Sequence, residues 1–450
     1  MRTKSIILAA GQGTRMHSAL PKVLHHLLGR PMAWYAVDTA LKATGSQPVV
    51  VVGYGAENVM QALGETALFV RQEPQLGTGH AVLQARPLLE GKCDLVLVTY
   101  ADMPLLKPET LSRLIETQSS HNGPFSMLTI LGRDPRGFGR VLRNPQGQVE
   151  AIIEETQASP EQLVIRELNA SVYCFSARWL WKALDQIPVS PKGEYYLTDL
   201  VGIATSEGLK VLALTDEETI ETIGINTRLH LAEAEAALRL RINQDLMLSG
   251  VTLIDPQTTT IEPGVSIGRD SIVWPNTYLH GATRIGEETV IGPNTIIKES
   301  EIGNRCKIVS SVIEGAILED DVEIGPFAHL RKGAHLGRGV HMGNFGEVKN
   351  SYLGPGSKVG HFSYLGDATI GSNVNIGAGT ITCNFDGYKK YPTEIGNEAF
   401  IGSDTMLVAP VKVGEGARTG AGAVVTKNIP PDTLAVGMPA RSIRKLEKRE

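Results

Sequence analysis

Cysteine is scarce in this chain of 450 residues: Cys93, Cys174, Cys306 and Cys383 are the four present, far apart and without CxxC spacing. That pattern excludes a disulfide framework and a zinc ribbon, and reads as buried thiols in a reducing compartment. Neither sign of charge dominates. A formal net charge of −5 supplies no basic field for nucleic acid, and no long basic run suits a membrane surface. No apolar stretch is long enough to span a bilayer. Arg2-Thr3-Lys4 before Ser5 to Ala10 has the charge order of a secretory leader, but the apolar run is short and enters a Gly-rich turn. It reads as a first buried strand. We expect a soluble, cytoplasmic protein with no nucleic-acid or membrane partner. The length allows two or three domains, each with its own core.

Glycine is plentiful, at 48 residues, and between Ile267 and Val425 much of it follows a six-residue phrase. An aliphatic anchor recurs at Ile267, Val273, Leu279, Ile285, Ile291 and Ile297, then at Ile324, Leu330, Leu336, Met342 and Val348. It continues at Leu353, Val359 and Leu365, at Ile370 and Ile376, and at Ile395, Ile401, Leu407 and Val413. Gly usually follows the anchor, and a small residue comes three positions later (Ser271, Thr289, Ala328, Ala399, Thr405). A period of six builds no helical stripe. Short strands meeting at tight corners satisfy it, with the anchor inward and Gly, Asn or Asp at the corner: the repeat of a β-helix solenoid. Each coil buries its inner face only against its neighbours, so the array is a stiff rod with side grooves.

The N-terminal half alternates strand and helix patterns. Ser5–Ala10, Val49–Val52 and Leu95–Thr99 read as buried strands, and Gly11-Gln-Gly-Thr-Arg15-Met follows the first, with Pro21-Lys22 beyond. A Gly-rich turn behind a strand lets backbone N–H groups approach phosphate oxygens, and Arg15 and Lys22 add positive charge. The turn lacks both the GxxxxGK[ST] of a P-loop and the GxGxxG of a dinucleotide fold. The third strand runs into Tyr100-Ala101-Asp102, which puts a carboxylate where open α/β sheets bind ligands, or else caps the next turn. Gln72 with Gly77-Thr78-Gly-His80 offers an amide and small turns suited to a base edge or a sugar. Gly139, Glu154, Asn169 and Asn226 carry no signal alone.

Thr227 to Leu248, with Leu229, Ala232, Ala236 and Leu240 among Glu and Arg, predicts one amphipathic helix ended near Gly250. It makes residues 227–250 a spacer between domains over 1–226 and 251–450, with the coils starting after Pro256. On the rod, His361 is a corner imidazole able to take a proton near neutral pH. His329, His335 and His341 follow one another at six-residue intervals; a solvated row is preferred to a metal ladder. Arg331, Lys349 and Tyr364 could cluster with His361 into a cationic cup for a sugar phosphate. The register breaks between Ile376 and Ile395, which predicts an inserted loop from Thr382 to Glu394, either a binding face or a tolerated insertion. The tail Arg444 to Glu450 is charged and expected to fray.

Leu8-Ala-Ala-Gly-x-Gly-Thr-Arg-Met16 with Pro21-Lys22 resembles the signature of sugar-phosphate nucleotidyltransferases. Together with Gln72, Gly77-Thr78, Asp102, Gly139, Glu154, Asn169, Lys192 to Asp199 and Asn226, it resembles the uridyltransferase half of one bifunctional family. That family is the N-acetylglucosamine-1-phosphate uridyltransferase/glucosamine-1-phosphate acetyltransferases. Arg331, Lys349, His361, Tyr364, Asn375, Ala378, Asn384, Ser403 and Ala421 match its other half. The resemblance implies an α/β Rossmann-like, mostly parallel nucleotidyltransferase domain joined by a long α-helix to an all-β, left-handed parallel β-helix, an exception to the crossover rule. It implies a homotrimer through the rod, with sites between neighbours. It implies acetyl transfer from acetyl-CoA to glucosamine-1-phosphate, then uridylyl transfer from UTP, feeding peptidoglycan and lipopolysaccharide precursors. Asp102 and Asn226 would hold Mg²⁺. Leu8, Ala9, Ala10, Gly11, Tyr100 and Ala101 would line the UTP site, Gln72 and Gly77-Thr78 would read uracil, and Gly139, Glu154 and Asn169 would hold the sugar. Arg15 and Lys22 would neutralise phosphoryl oxygens. On the rod His361 would be the general base, Arg331 and Lys349 would bind the sugar phosphate, and Tyr364, Asn375, Asn384 and Phe385 would place the amino sugar. Ala378, Ser403 and Ala421 would line the CoA groove.

The chain departs from the pattern in places. Tyr-Gly-Asp is Tyr100-Ala101-Asp102, Asn-Thr-Gly is Asn169-Ala170-Ser171, and Asn-Tyr is Asn384-Phe385. For the first two, altered sugar contacts with retained activity are expected; the third removes a hydroxyl and keeps the ring. Val436-Gly-Met438-Pro-Ala-Arg441 leaves Arg441 as the candidate basic contact to CoA. Two rival readings stay open: a nucleotidyltransferase for another sugar with a regulatory or oligomerising rod, and a trimeric scaffold around a decayed domain.

Overall fold

The structure is a computed structural model that describes residues 1–132, 137–216 and 219–445. The chain divides into two compact units, Met1–Leu238 and Arg239–Glu450. No helix among the described residues is long and apolar enough to cross a membrane.

In the first unit the strand Thr3–Ala9 lies mid-sheet, parallel to Val49–Val52 on one side and to Leu95–Tyr100 on the other. Both sheet faces are covered. Ile7 and Ala9 pack with Ala33, Ala36 and Val37 of the helix Met32–Thr44. Ile6 and Leu8 pack with Ala81, Val82, Leu180 and Val201. Alternate residues therefore enter different cores, which is why the strand reads as one unbroken apolar run. The next strands lie on opposite sides of Thr3–Ala9, so the chain reverses direction there and leaves a crevice at that strand's C-terminal end. The Gly11 turn departs from that point. Beyond the parallel core, the strand Glu167–Ser176 runs antiparallel to both Leu95–Tyr100 and Phe125–Leu131.

The helix Arg228–Leu248 has the predicted extent, but its apolar stripe faces the other way. Leu229 and Leu240 are 67% and 51% exposed, whereas Ala234, Leu238 and Asn243 are buried. Ala and Leu occur on every side of this helix, so periodicity could not select the buried one. The Asn243 carboxamide donates to the carbonyls of Pro256 and Thr259 at 2.8 and 3.0 Å. It fastens the helix to the first coil of the rod.

The rod has three sides, formed among the described residues by sheets of 12, 10 and 9 strands. Its coils start at Thr252–Leu253, which already pairs with Ile272–Val273, and not after Pro256, which lies in the first corner. Every hexad anchor named above is buried except Ile267, which is half-buried. The gap in the lattice between Ile297 and Ile324 is filled by Ile302, Ile308, Ile313 and Leu318, also buried, on sides of five as well as six residues. Gly beside the anchor answers to coil spacing. A Cβ on Gly286 would lie 2.7 Å from the Gly303 carbonyl carbon one coil on. The small residues turn their hydroxyls to the neighbouring coil: Ser271 donates to Gly286 O at 2.9 Å and Thr289 to Gly303 O at 3.0 Å.

Three other readings change. The inserted loop is shorter than expected: Thr382, buried in the strand Ile381–Cys383, takes the anchor position, and pairing resumes at Thr393–Ile395. The insertion is residues 384–392. His329, His335 and His341 lie on three different sides of the rod. They face Glu314, Glu319 and Glu323 at 3.3, 2.9 and 3.1 Å, so they form neither a row nor a ladder. The tail does not fray at Arg444, because Arg441–Lys445 pairs antiparallel with Thr433–Val436; residues 446–450 lie outside the described residues. At one corner Phe327, Phe345 and Phe362 adopt left-handed φ of 62°, 56° and 48°. Their rings stack at 5.4 and 5.1 Å, which offsets part of a backbone cost of about 1–2 kcal/mol per residue.

The buried anchors predict the response of the rod. Leu330→Ala should cost about 3 kcal/mol, since its neighbours are tied into two adjoining coils and cannot collapse into the void. Tyr388→Ala, on a side chain 95% exposed, should change stability by about 0.5 kcal/mol or less. Equilibrium denaturation in guanidinium checks both.

Candidate active sites

The crevice of the first unit holds a cleft of about 360 Å³ lined by Leu8, Ala9, Ala10, Gly11, Lys22, Gln72, Gly77, Thr78, Tyr100 and Asp102, all singled out from sequence. Gly13 lies in the same turn as Gly11, packed on Lys22. At φ 68°, a Cβ there would sit 2.5 Å from the Cβ of Lys22, so Gly lets the turn close over the lysine. The Lys22 ammonium is largely enclosed, with its side chain 12% exposed, and it forms an ion pair with Asp102. It also donates to Asn226 Oδ1 at 3.1 Å. The Asp102 carbonyl accepts from Ile225 N at 2.9 Å, which brings Asn226 to the carboxylate.

Two oxygens thus converge on one cation position, one from a carboxylate and one from an amide. That donor set fits Mg²⁺, which retains several waters and completes its shell with substrate phosphates. Among the described residues no group of three or more His, Cys, Asp and Glu could cage a metal, so a divalent ion here must take further oxygens from substrate and water.

Gly139, Glu154 and Asn169 form a second group. Asn169 N donates to Gly139 O at 2.9 Å, and Asn169 Nδ2 donates to the Tyr173 hydroxyl at 2.7 Å. Burial lifts Glu154 above the usual carboxylate range; a bond from Thr198 opposes the shift and the Asp199 charge adds to it. Tyr100 joins the groups: it lines the cleft, and burial, then Tyr173, Asp102 and Glu154, push its phenol well up. Ala101 is fully buried in the core behind the cleft, and Arg15 stands exposed on the turn.

Gln75, which sequence reading missed, also lines the cleft, as do Glu194 and Tyr196, which it named only within the stretch Lys192 to Asp199. Gln75 Nε2 donates to Ala10 O at 2.8 Å, and its signal was its place three residues after Gln72. The stretch Lys192 to Asp199 closes the other wall, where Leu197 N donates to Thr78 Oγ1 at 3.0 Å.

On the rod, His361 heads a column. Asn344 pairs with it one coil earlier, and the His361 carbonyl accepts from Gly379 N at 3.3 Å one coil later. Ala378, Ser403 and Ala421 continue through successive coils: Ala378 O accepts from Asp404 N, and Ser403 O from Gly422 N. His361 Nδ1 lies 2.6 Å from Asn344 Oδ1. An amide oxygen only accepts, so the ring carries its proton on Nδ1 and keeps Nε2 free as a base.

A second column runs along the far edge of the adjoining side, through Arg331, Lys349 and Gly366. Lys390 and then Arg331 depress the Lys349 ammonium, marking a convergence of three cations. Arg331 is partly neutralised by Glu347 at 3.0 Å. Asn384 Nδ2 reaches Asp367 at 2.6 Å, and a Cβ on Gly366 would collide with the Tyr364 hydroxyl and the Asn384 amide. Asn375 lies on the His361 side, paired with Lys358 and Phe400. Phe385 is exposed in the inserted loop, Met438 is 78% exposed, and Arg441 is exposed on the last strand. Lys390 and Asn344 were the residues of this site that sequence reading left without a role.

The profile of the MobA-like NTP transferase domain matches residues 5–193, and that of bacterial transferase hexapeptide repeats matches 392–427. A bifunctional protein GlmU of Heliobacterium modesticaldum is 47% identical over 433 residues, covering 96% of this chain and 94% of that protein. A second, from Fervidobacterium nodosum, is 46% identical over 443 residues, covering 98% and 96%. A third, from Shouchella clausii, is 43% identical over 433 residues, covering 96% and 95%.

The environment of Glu154 sets a sign. Its folded pKa is raised, so the stability that its proton confers is complete below its ordinary value of 4.5 and is lost as pH rises through the folded value. Glu154→Gln should therefore raise the melting temperature of the first unit at pH 8, with the gain shrinking to nothing near pH 4. Thermal melts across that range check it.

Proposed function

The chain belongs to the GlmU family of bifunctional proteins, and from that premise we propose how its two units share the work. It is a bifunctional transferase of UDP-N-acetylglucosamine synthesis, an N-acetyltransferase and a uridyltransferase. The observation that carries the division of labour is that each unit holds its own constellation. The Asp102–Lys22–Asn226 convergence stands at the mouth of a glycine turn, and the His361 column stands beside three cations.

In the first unit a phosphate oxygen of N-acetylglucosamine-1-phosphate attacks the α-phosphorus of UTP, the α–β bridging P–O bond breaks, and pyrophosphate leaves. The attacking phosphate is already ionised, so no general base is needed. The residues bind, orient and neutralise. Lys22 and Arg15 place positive charge against the phosphoryl oxygens, the Gly11 turn offers backbone N–H groups, and Gln72 and Gly77-Thr78 read the base. Glu154, Asn169 and Gly139 hold the sugar. Asp102 and Asn226 would hold Mg²⁺, which supplies charge neutralisation on the phosphates when bound.

On the rod the C2 amine of glucosamine-1-phosphate attacks the thioester carbonyl carbon of acetyl-CoA, the C–S bond breaks, and the CoA thiol departs. His361 Nε2 takes the amine proton and passes it to the departing CoA sulfur, and Asn344 keeps that nitrogen free to do so. Arg331, Lys349 and Lys390 receive the sugar phosphate, while Tyr364, Asn375 and Asn384, with Phe385 nearby, place the amino sugar. Ala378, Ser403 and Ala421 leave room for the pantetheine arm, and Arg441 is the basic partner for CoA. We read the rod as left-handed and as the trimerising element; the exposed apolar positions Tyr278 and Ile296 on one side support an interface there. Four free cysteines support a cytoplasmic home.

Purified protein given glucosamine-1-phosphate, acetyl-CoA, UTP and Mg²⁺ should yield UDP-N-acetylglucosamine, CoA and pyrophosphate by mass spectrometry. Asp102→Ala should abolish uridylyl transfer and spare acetylation. His361→Ala should slow acetylation by about 10²–10⁴-fold while added N-acetylglucosamine-1-phosphate is still uridylylated. Loss of both activities in either variant would defeat the assignment of separate sites, and intact acetylation in His361→Ala would defeat that of the base.

A further inference from the structure

His80 lies behind the nucleotide cleft rather than in it, on the helix Thr78–Gln84, and lines a neighbouring cavity with Leu83, Leu184 and Tyr195. Its Nδ1 stands 3.1 Å from the Nε2 of the buried Gln72, and the same Gln72 nitrogen donates to Gly77 O at 2.8 Å. A backbone carbonyl only accepts, so the Gln72 atom facing Gly77 is the NH₂ group. One of its hydrogens goes to Gly77. The other goes to His80 Nδ1, which must then be unprotonated, with the ring proton on Nε2. The half-buried Gln84 carboxamide has its nitrogen 3.0 Å from ring Nε2 and donates the same nitrogen to the His80 carbonyl at 3.1 Å; by giving up that second bond it turns its oxygen to the ring proton. Burial keeps the ring neutral. With both N–H bonds of Gln72 engaged, what it offers the cleft is its carbonyl oxygen, an acceptor.

We propose that His80 is a positioning residue that sets the base preference of the first site, by holding the Gln72 amide with its oxygen toward the cleft. The proposal rests on Gln72 as the reader of the base. An acceptor at that point recognises the N3–H of uracil. Cytosine presents a lone pair at N3, so the two acceptors would face each other and CTP is rejected. Without His80, the Gly77 bond alone holds the amide, the second hydrogen of Gln72 has no fixed partner, the oxygen swings about that single bond, and the distinction weakens.

The test is steady-state kinetics of the full chain with N-acetylglucosamine-1-phosphate and either UTP or CTP. His80→Leu should raise KM for UTP about tenfold with little change in kcat, and lower the UTP-over-CTP preference in proportion. His80→Asn, whose side-chain oxygen can occupy the Nδ1 position, should restore the preference. A purely structural role would move neither the ratio nor its rescue. If His80→Leu leaves the ratio unchanged while Gln72→Ala lowers it, the positioning role is overturned and the base reader stands. If Gln72→Ala also leaves it unchanged, the base reader itself fails. Should His80→Leu not fold, two-bond ¹H–¹⁵N correlation on the unmutated protein decides: a proton on Nε2 supports the proposal, and a proton on Nδ1 overturns it.

Discussion

Everything on the rod depends on how closely one coil lies on the next. Parallel pairing sets neighbouring strands about 4.8 Å apart, so a side chain pointing along the rod axis has nowhere to go. That is why Gly follows the anchor at Gly286, and also at Gly377, where a Cβ would lie 2.5 Å from Ser403 N. The same spacing turns sequence separation into adjacency. Asn344, His361, Ala378, Ser403 and Ala421 become neighbours because each is one coil from the last. Residues 384–392 extend outward without disturbing this, since Thr382 and Thr393 keep the register on either side. An insertion between two fixed points can bring Lys390 to Lys349 while the coils beneath remain unchanged.

The first unit reaches a comparable precision by a different route. Its sheet is covered on both faces, so the ends of the strands are where polar groups gather, and the reversal of strand order at Thr3–Ala9 opens a crevice at one such end. Asp102 and Asn226 are far apart in sequence, yet the Asp102 carbonyl receives Ile225 N, so the loop carrying Asn226 is fastened to the strand end that carries the carboxylate. Lys22 then meets both. An enclosed ammonium with a carboxylate and an amide oxygen is compensated; removing the carboxylate alone would leave a largely buried charge whose desolvation costs several kcal/mol.

What sequence reveals follows the range of the forces involved. The hexad lattice is local and repeated, so it was readable, and so were the first strand, the glycine turn and the carboxylate at Asp102. The segment Ile302 to Leu318 escaped because sides of five residues break a count of six while still burying their anchors. The long helix was found but its inner face was not: Ala234 and Leu238 are buried and Leu229 is exposed, and nothing in an Ala- and Leu-rich helix distinguishes them. Asn344, Lys390 and Gln75 act through partners a coil or a loop away. No spacing rule applies to such contacts until the coils have been stacked and the crevice has been closed.

Two imidazoles show how much rests on groups that cannot change role. His361 and His80 have the same ring and opposite surroundings. At His361 the Asn344 amide oxygen accepts, so Nδ1 keeps its proton and Nε2 is left as a base facing solvent. At His80 the Gly77 carbonyl, acting through the Gln72 amide, forces Nδ1 to accept, and the ring serves as a fixed post inside the protein. Neither assignment could be read from the residue itself. Each follows from one oxygen whose lone pairs only accept, and the hydrogen-bond chain built on that oxygen selects between the two tautomers of the ring. One imidazole is thereby free to move a proton, and the other is bound to hold one still.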